Sequence, residues 1–129
     1  MEKDWERAIQ TGDAGWVRSL IEHGLEINSK DRHGQTGLML AAMKGHTEIV
    51  RLLVENKAEL NHTAKYHLSA LMLAVINNHI EIVSLLAQAG ADQSARGSGA
   101  PGFAGLTALE LAEKSGYEEI AAILRGSGV

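Results

Sequence analysis

Apolar residues recur along this chain at the spacing of a helix that buries one face. Ile49, Leu52 and Leu53 stand at i, i+3 and i+4, and the triplet returns as Ile82, Leu85, Leu86 and as Ile120, Ile123, Leu124. Each triplet marks a 3.6-residue period. A second kind of block precedes each one. Thr36-Gly37-Leu38-Met39-Leu40-Ala41-Ala42 recurs 33 residues later as Ser69-Ala70-Leu71-Met72-Leu73-Ala74-Val75, and Thr107-Ala108-Leu109-Glu110-Leu111-Ala112-Glu113 follows 38 residues after that. Gly45-His46-Thr47-Glu48-Ile49-Val50 is echoed by Asn78-His79-Ile80-Glu81-Ile82-Val83 and by the run from Gly116 to Ala121. A degenerate first copy extends from Trp5 to Lys30, with Gly12-Asp13 and Trp16-Val17 at the matching places.

A fixed period in this range is the signature of a stacked array. Two short helices per copy are predicted, near 36–43 and 47–55, 69–76 and 80–88, 107–114 and 117–124, with an earlier pair near 2–10 and 14–22. Thr36, Ser69 and Thr107 are placed to cap the first helix of their copies, and Thr107 with Glu110 has the spacing of a capping box. Gly24 and Gly90 fall just past the second helix, where the chain commonly turns left-handed. Alanines at 41, 74 and 112 allow neighbouring helices to approach closely. One helix pair cannot bury its apolar face alone, so the copies must stack, with Leu52 and Leu85 expected between helix layers. The fold class expected is all-α, a single domain with units at about 1–30, 31–63, 64–96 and 102–125 and a loop insertion at 97–101.

The period, the Thr-x-Leu-x-Leu-Ala-Ala block, the Gly-His-x-Glu-Ile-Val block and the ending Gly90-Ala91-Asp92 resemble the ankyrin repeat over nearly the whole chain. The resemblance implies a solenoid of helix-turn-helix units joined by hairpin-like fingers. It also implies a protein–protein interaction module that works through its concave face and finger loops. The chain departs from the family pattern in places. Gly37-Leu38-Met39, Ala70-Leu71-Met72 and Ala108-Leu109-Glu110 replace the usual Pro-Leu-His. Lys57 stands where glycine is usual, and His67 replaces another glycine in a connecting turn, where histidine tolerates left-handed backbone better than most residues. Glu110, Glu113 and Arg125 take positions that are apolar in the inner copies, and the first helix is polar at Glu2, Asp4, Glu6, Arg7 and Gln10. Such residues suit outer faces, so a complete array of four units, two of them caps, is expected.

Composition narrows the function. Apolar residues make up 45% of the 129, but only 4% are aromatic, so aliphatic side chains must fill the core. The net charge of −4 argues against a general nucleic-acid binder. The absence of cysteine excludes disulfides and thiolate metal sites. No apolar run approaches the roughly 18 residues of a membrane span, and the opening Met1-Glu2-Lys3-Asp4-Trp5 lacks the apolar stretch of a signal peptide, so a cytoplasmic monomer is expected. No catalytic constellation stands out. Gly97-Ser98-Gly99 lacks the spacing of a nucleophile elbow. The stretch from Gly97 to Gly105, with the only proline and four glycines, lacks the Lys-Ser/Thr of a phosphate loop. It reads as a flexible extension of the finger between the third and fourth units. His62 and His67 flank a turn and are near enough in sequence to approach each other, yet two imidazoles make a poor zinc site. The chain is read as non-enzymatic, without cofactor or metal. Glu48, Glu55, Glu81, Glu118 and Glu119 read as a solvated outer face.

The family resemblance locates the candidate partner-binding residues. It gives Arg32, His33 and Gln35 on the first finger, Lys65, Tyr66 and Leu68 on the second, and Phe103 and Leu106, with Ala104, on the third. From the first helices it adds Met43, Lys44, Ile76, Asn77 and Lys114, with Ser115. The set mixes large apolar groups with cations and holds no acid, which suits a protein partner carrying an acidic segment and an apolar anchor. Leu68, Leu106 and Phe103 also suit packing onto adjacent fingers. Two other readings are a small-molecule or nucleotide site under the Gly-rich loop 97–105, and a self-associating structural spacer.

Overall fold

The structure is a computed structural model that describes residues 1–99 and 102–127. Eight α-helices follow in pairs: α1 (Lys3–Thr11) and α2 (Ala14–Glu22), α3 (Gly37–Lys44) and α4 (Thr47–Glu55), α5 (Ala70–Ile76) and α6 (Ile80–Gln88), α7 (Ala108–Ser115) and α8 (Glu118–Ser127). Each start agrees with the sequence expectation to within one residue, and α8 runs three residues further than expected. The first helices pack in one row, α1 on α3 on α5 on α7, and the second helices pack in another, α2 on α4 on α6 on α8. Among the described residues there are no strands, only isolated bridges between Lys30 and Thr36 and between Gly97 and Ala104. No described helix is long and apolar enough to cross a membrane.

Local chemistry sets the helix limits. The side chains of Thr36, Ser69 and Thr107 accept the backbone N–H groups of Met39, Met72 and Glu110, satisfying donors that the first turn leaves free. Thr107 and Glu110 complete the capping box. After the second helices, Gly24 and Gly90 take φ of 86° and 93°, while Lys57 at the equivalent place takes 66°.

Repeat-to-repeat contacts hold the rows in register. The His46 ring packs on Gly12, and the His79 ring on Gly45. His46 Nε2 reaches the Gln10 carbonyl at 3.4 Å and His79 Nε2 the Met43 carbonyl at 3.0 Å. Asn28 Oδ1 accepts the Glu59 N–H, and Asn61 Oδ1 accepts the Asp92 N–H. On the second-helix row, Arg51 joins Glu48 in its own unit to Glu81 in the next. In the last unit a polar pair joins the two helices, with Arg125 Nη2 on α8 at 2.7 Å from Glu113 Oε2 on α7.

The core is centred one residue away from the expected stripe. Ile49, Val50 and Leu53 are buried, as are Ile82, Val83 and Leu86 and then Ile120, Ala121 and Leu124. The i+3 position lies at the edge of this face. Leu52 is still buried there, whereas Leu85 and Ile123 are only half-buried. The expectation that Leu85 lies wholly between layers is therefore corrected: its helical angle carries it to the rim.

Candidate functional site

The second finger carries a strained turn. Lys65–His67 form one 3-10 turn in which Tyr66 and His67 take φ of 61° and 58°. Left-handed backbone costs a residue with a β-carbon about 1–2 kcal/mol, so contacts outside the turn must hold it. They come from the third finger. The Ser98 N–H donates to the Tyr66 carbonyl at 2.8 Å, and His67 Nδ1 donates to the Arg96 carbonyl at 3.0 Å. The Tyr66 ring lies 5.8 Å from the Phe103 ring, tilted by 46°, and Lys65 Nζ stands 4.9 Å over the Tyr66 centroid.

The third finger is tied internally as well. Gly97 is buried, donates its N–H to the Leu106 carbonyl, and accepts the Gly105 N–H, both at 2.9 Å. A β-carbon on Gly97 would come within 2.5 Å of the Phe103 carbonyl oxygen, so only glycine fits. Arg96 Nη1 donates to the Gly105 carbonyl and to Glu110 Oε1 at 2.6 and 3.0 Å. Within the stretch read from sequence as a flexible extension of the finger, Gly97 and Ser98 are thus tied to their neighbours. Ala100 and Pro101 lie outside the described residues.

The remaining candidates are spread along the array. Arg32 and His33 are exposed on the first finger, with Arg32 Nε 3.3 Å from His33 Nε2. Asp31 Oδ1 accepts the N–H groups of both His33 and Gln35, and Gln35 is half-buried. Met43 on α3 and Ile76 on α5 are half-buried at the same helix position of adjacent units, beside exposed Lys44 and Asn77. Asn77 uses its amide on the Leu73 carbonyl. Lys114 is exposed on α7, and Phe103 and Leu106 are half-buried against the core. The structure brings Lys65, Tyr66 and Phe103 together and pairs Arg32 with His33.

Leu68 is corrected from partner contact to core residue, since it is only 6% exposed. It stands immediately before the cap Ser69, the position from which an apolar side chain turns back over the first helical turn. His62 and His67 do not meet. His62 Nε2 reaches back to the Gly34 carbonyl while His67 reaches forward to Arg96. No group of three or more His, Cys, Asp or Glu able to hold a metal occurs among the described residues.

Two carboxylates near the third finger are held below their ordinary range. Asp92 is lowered chiefly by the Ser94 hydroxyl and then by the Ser94 N–H. Glu110 is lowered first by the Thr107 N–H, then by the Thr107 hydroxyl and Arg96, against an opposing desolvation effect. Both are already committed to local hydrogen bonds. Sequence reasoning missed Arg96 and Ser98 as links between fingers: Arg96 acts through its backbone carbonyl and Ser98 through its backbone N–H, groups that every residue type but proline carries.

Residues 6–97 match the family model described as ankyrin repeats, in three copies. The fourth helix pair, α7 and α8, lies beyond that match but continues both helix rows. No curated protein matches the chain.

Proposed function

The chain belongs to the ankyrin-repeat family, and we propose that it is a rigid module that binds a protein segment carrying acidic residues and an apolar anchor. Repeats of this family generally serve in protein interaction and are typically non-enzymatic. The binding face in this reading is the concave one, made by the first-helix row and the fingers.

One observation carries the proposal. Tyr66, the large apolar residue left exposed among the described ones, sits under the Lys65 ammonium in a chain of net charge −4. Large amphipathic side chains beside cations suit the anchoring of a partner, with the charges setting association rate and specificity. Arg32, Lys44 and Lys114 extend the same charge sign along the array, and Met43 and Ile76 add half-buried apolar surface between them.

The reading takes the chain to act as a cytoplasmic monomer, which sedimentation of the purified protein and imaging of a tagged chain would check. The main test is a footprint. Hydrogen exchange of the intact chain with a captured partner should slow at the fingers and around Met43, Lys44, Ile76 and Asn77. Protection confined to α2, α4, α6 and α8 would overturn the proposal.

A further inference from the structure

We propose that the second and third fingers form one preassembled subsite, Tyr66 packed on Phe103 with the Lys65 ammonium at its rim, which takes an aromatic partner side chain flanked by carboxylates. This deepens the reading of the concave face given above and rests on it.

The geometry of the subsite is fixed before any partner arrives. The Tyr66 backbone is held left-handed, its carbonyl is bonded to the Ser98 N–H, and its ring edge lies against Gly99. A β-carbon on Gly99 would come within 3.2 Å of Tyr66 Cδ1. A ring already immobilised loses little freedom on binding, so more of its contact energy appears as affinity. The third finger supplies this order. Its extension beyond the 33-residue period places Ser98 on the Tyr66 carbonyl and Phe103 on the Tyr66 ring. The first finger, with Arg32 and His33, has no Phe, Tyr or Trp, so the Tyr-on-Phe pair is particular to the second and third fingers.

Charge chooses the occupant. Residues 61–69 and 93–106 contain Lys65 and Arg96 and no Asp or Glu; Arg96 is already paired with Glu110 at 3.0 Å, which leaves Lys65 as the cation beside the rings. A cationic guest would meet the Lys65 ammonium already over the Tyr66 ring, whereas a carboxylate beside an aromatic anchor meets opposite charge.

The probes are three blocked heptapeptides added to the isotope-labelled full chain and followed by amide NMR: an aspartate-rich one with central tryptophan, the same with central alanine, and a lysine-rich one with central tryptophan. The acidic tryptophan peptide should shift the amides of Lys65, Tyr66, Ser98, Gly99 and Phe103. It should bind about tenfold more tightly than the alanine peptide, the worth of one buried side chain, and the lysine-rich peptide should not bind. Phe103→Ala should erase the preference for tryptophan, and Lys65→Glu should erase the preference for acidic flanks. Deletion of residues 98–102 should abolish both while the helical circular dichroism is retained. Equal affinity for the tryptophan and alanine peptides would overturn the subsite, as would no shift at millimolar peptide. Shifts confined to Met43, Lys44, Ile76 and Asn77 would overturn it too, while leaving the broader concave reading in place. That broader reading fails separately, on a partner footprint over the second helices.

Discussion

The indole of Trp5 lies directly against Gly37: a β-carbon added there would come within 3.1 Å of Trp5 Nε1 and 2.6 Å of Ile9 Cδ1. Both neighbours are fully buried, and the indole nitrogen has no hydrogen-bond partner among the described residues. The first two units interlock through this missing side chain. Gly→Ala in a helix usually gains about 1 kcal/mol, but overpacking a filled core costs about 1–3 kcal/mol. Overpacking wins here, because the clash is with two buried side chains. Gly37→Ala should therefore lose up to roughly 2 kcal/mol in urea unfolding. A gain would show that the α1–α3 contact has room to spare.

Lys57 presents the opposite case. It closes α4 with φ of 66°, where Gly24 and Gly90 close α2 and α6. Its side chain is exposed, so little is lost by removing it. Relief of left-handed strain, about 1–2 kcal/mol, outweighs the 0.5–1 kcal/mol entropy cost of glycine. Lys57→Gly should therefore raise stability by roughly 0.5–1 kcal/mol, read from the denaturation midpoint at unchanged slope.

Position within the apolar stripe decides the cost of core truncation. Leu53 is fully buried, whereas Leu85, one position nearer the helix edge in the next unit, is half-buried. Leu53→Ala should cost about 3–5 kcal/mol and Leu85→Ala about 1–2 kcal/mol. Equal losses would mean that the rim position is covered in solution.

The capping box at α7 has a pH signature. Glu110 is lowered from 4.5, first by the Thr107 N–H. A carboxylate lowered in the folded state adds stability above its unfolded value and loses that addition as pH falls through the folded one. The chain should therefore be more stable than Glu110→Gln at neutral pH, and the gap should close as pH falls below 4.5. A gap that persists undiminished at pH 3 would assign the effect to packing instead.

What the sequence disclosed follows from periodicity. Ile49 and Ile82, or Thr36 and Ser69, sit one period apart, so each copy corroborates the other, and helices, caps and rows follow. Fingers lack such a reference. Leu68 reads as an exposed apolar residue until the turn at Tyr66 and His67 folds it under Ser69. Leu85 was misplaced because an i, i+3, i+4 pattern fixes a face only to within one helical position. The Tyr66–Phe103 pair joins residues of two fingers, one of them lengthened by an insertion, and no repeat offset relates them. Exposure of Tyr66 was legible; what holds it was not.

Tyr66→Gly separates binding from folding. The substitution removes the ring contact with Phe103, worth about 0.5–1.5 kcal/mol. It also relieves the left-handed strain at φ of 61°, about 1–2 kcal/mol, less the entropy cost of glycine, about 0.5–1 kcal/mol. These changes nearly cancel, so global stability should move by under about 1 kcal/mol. Partner affinity should fall by about 1–3 kcal/mol, as expected for an anchoring aromatic. Tyr66→Ala should lose the same affinity but be less stable than Tyr66→Gly, because alanine keeps the strain and loses the ring. Charge reversal at Lys44 and Lys65 should act differently, slowing association most at low salt, where screening is weakest. Measuring unfolding and association kinetics on the same three variants distinguishes the roles. If Tyr66→Gly binds a captured partner as tightly as the unaltered chain, Tyr66 serves only to join the fingers.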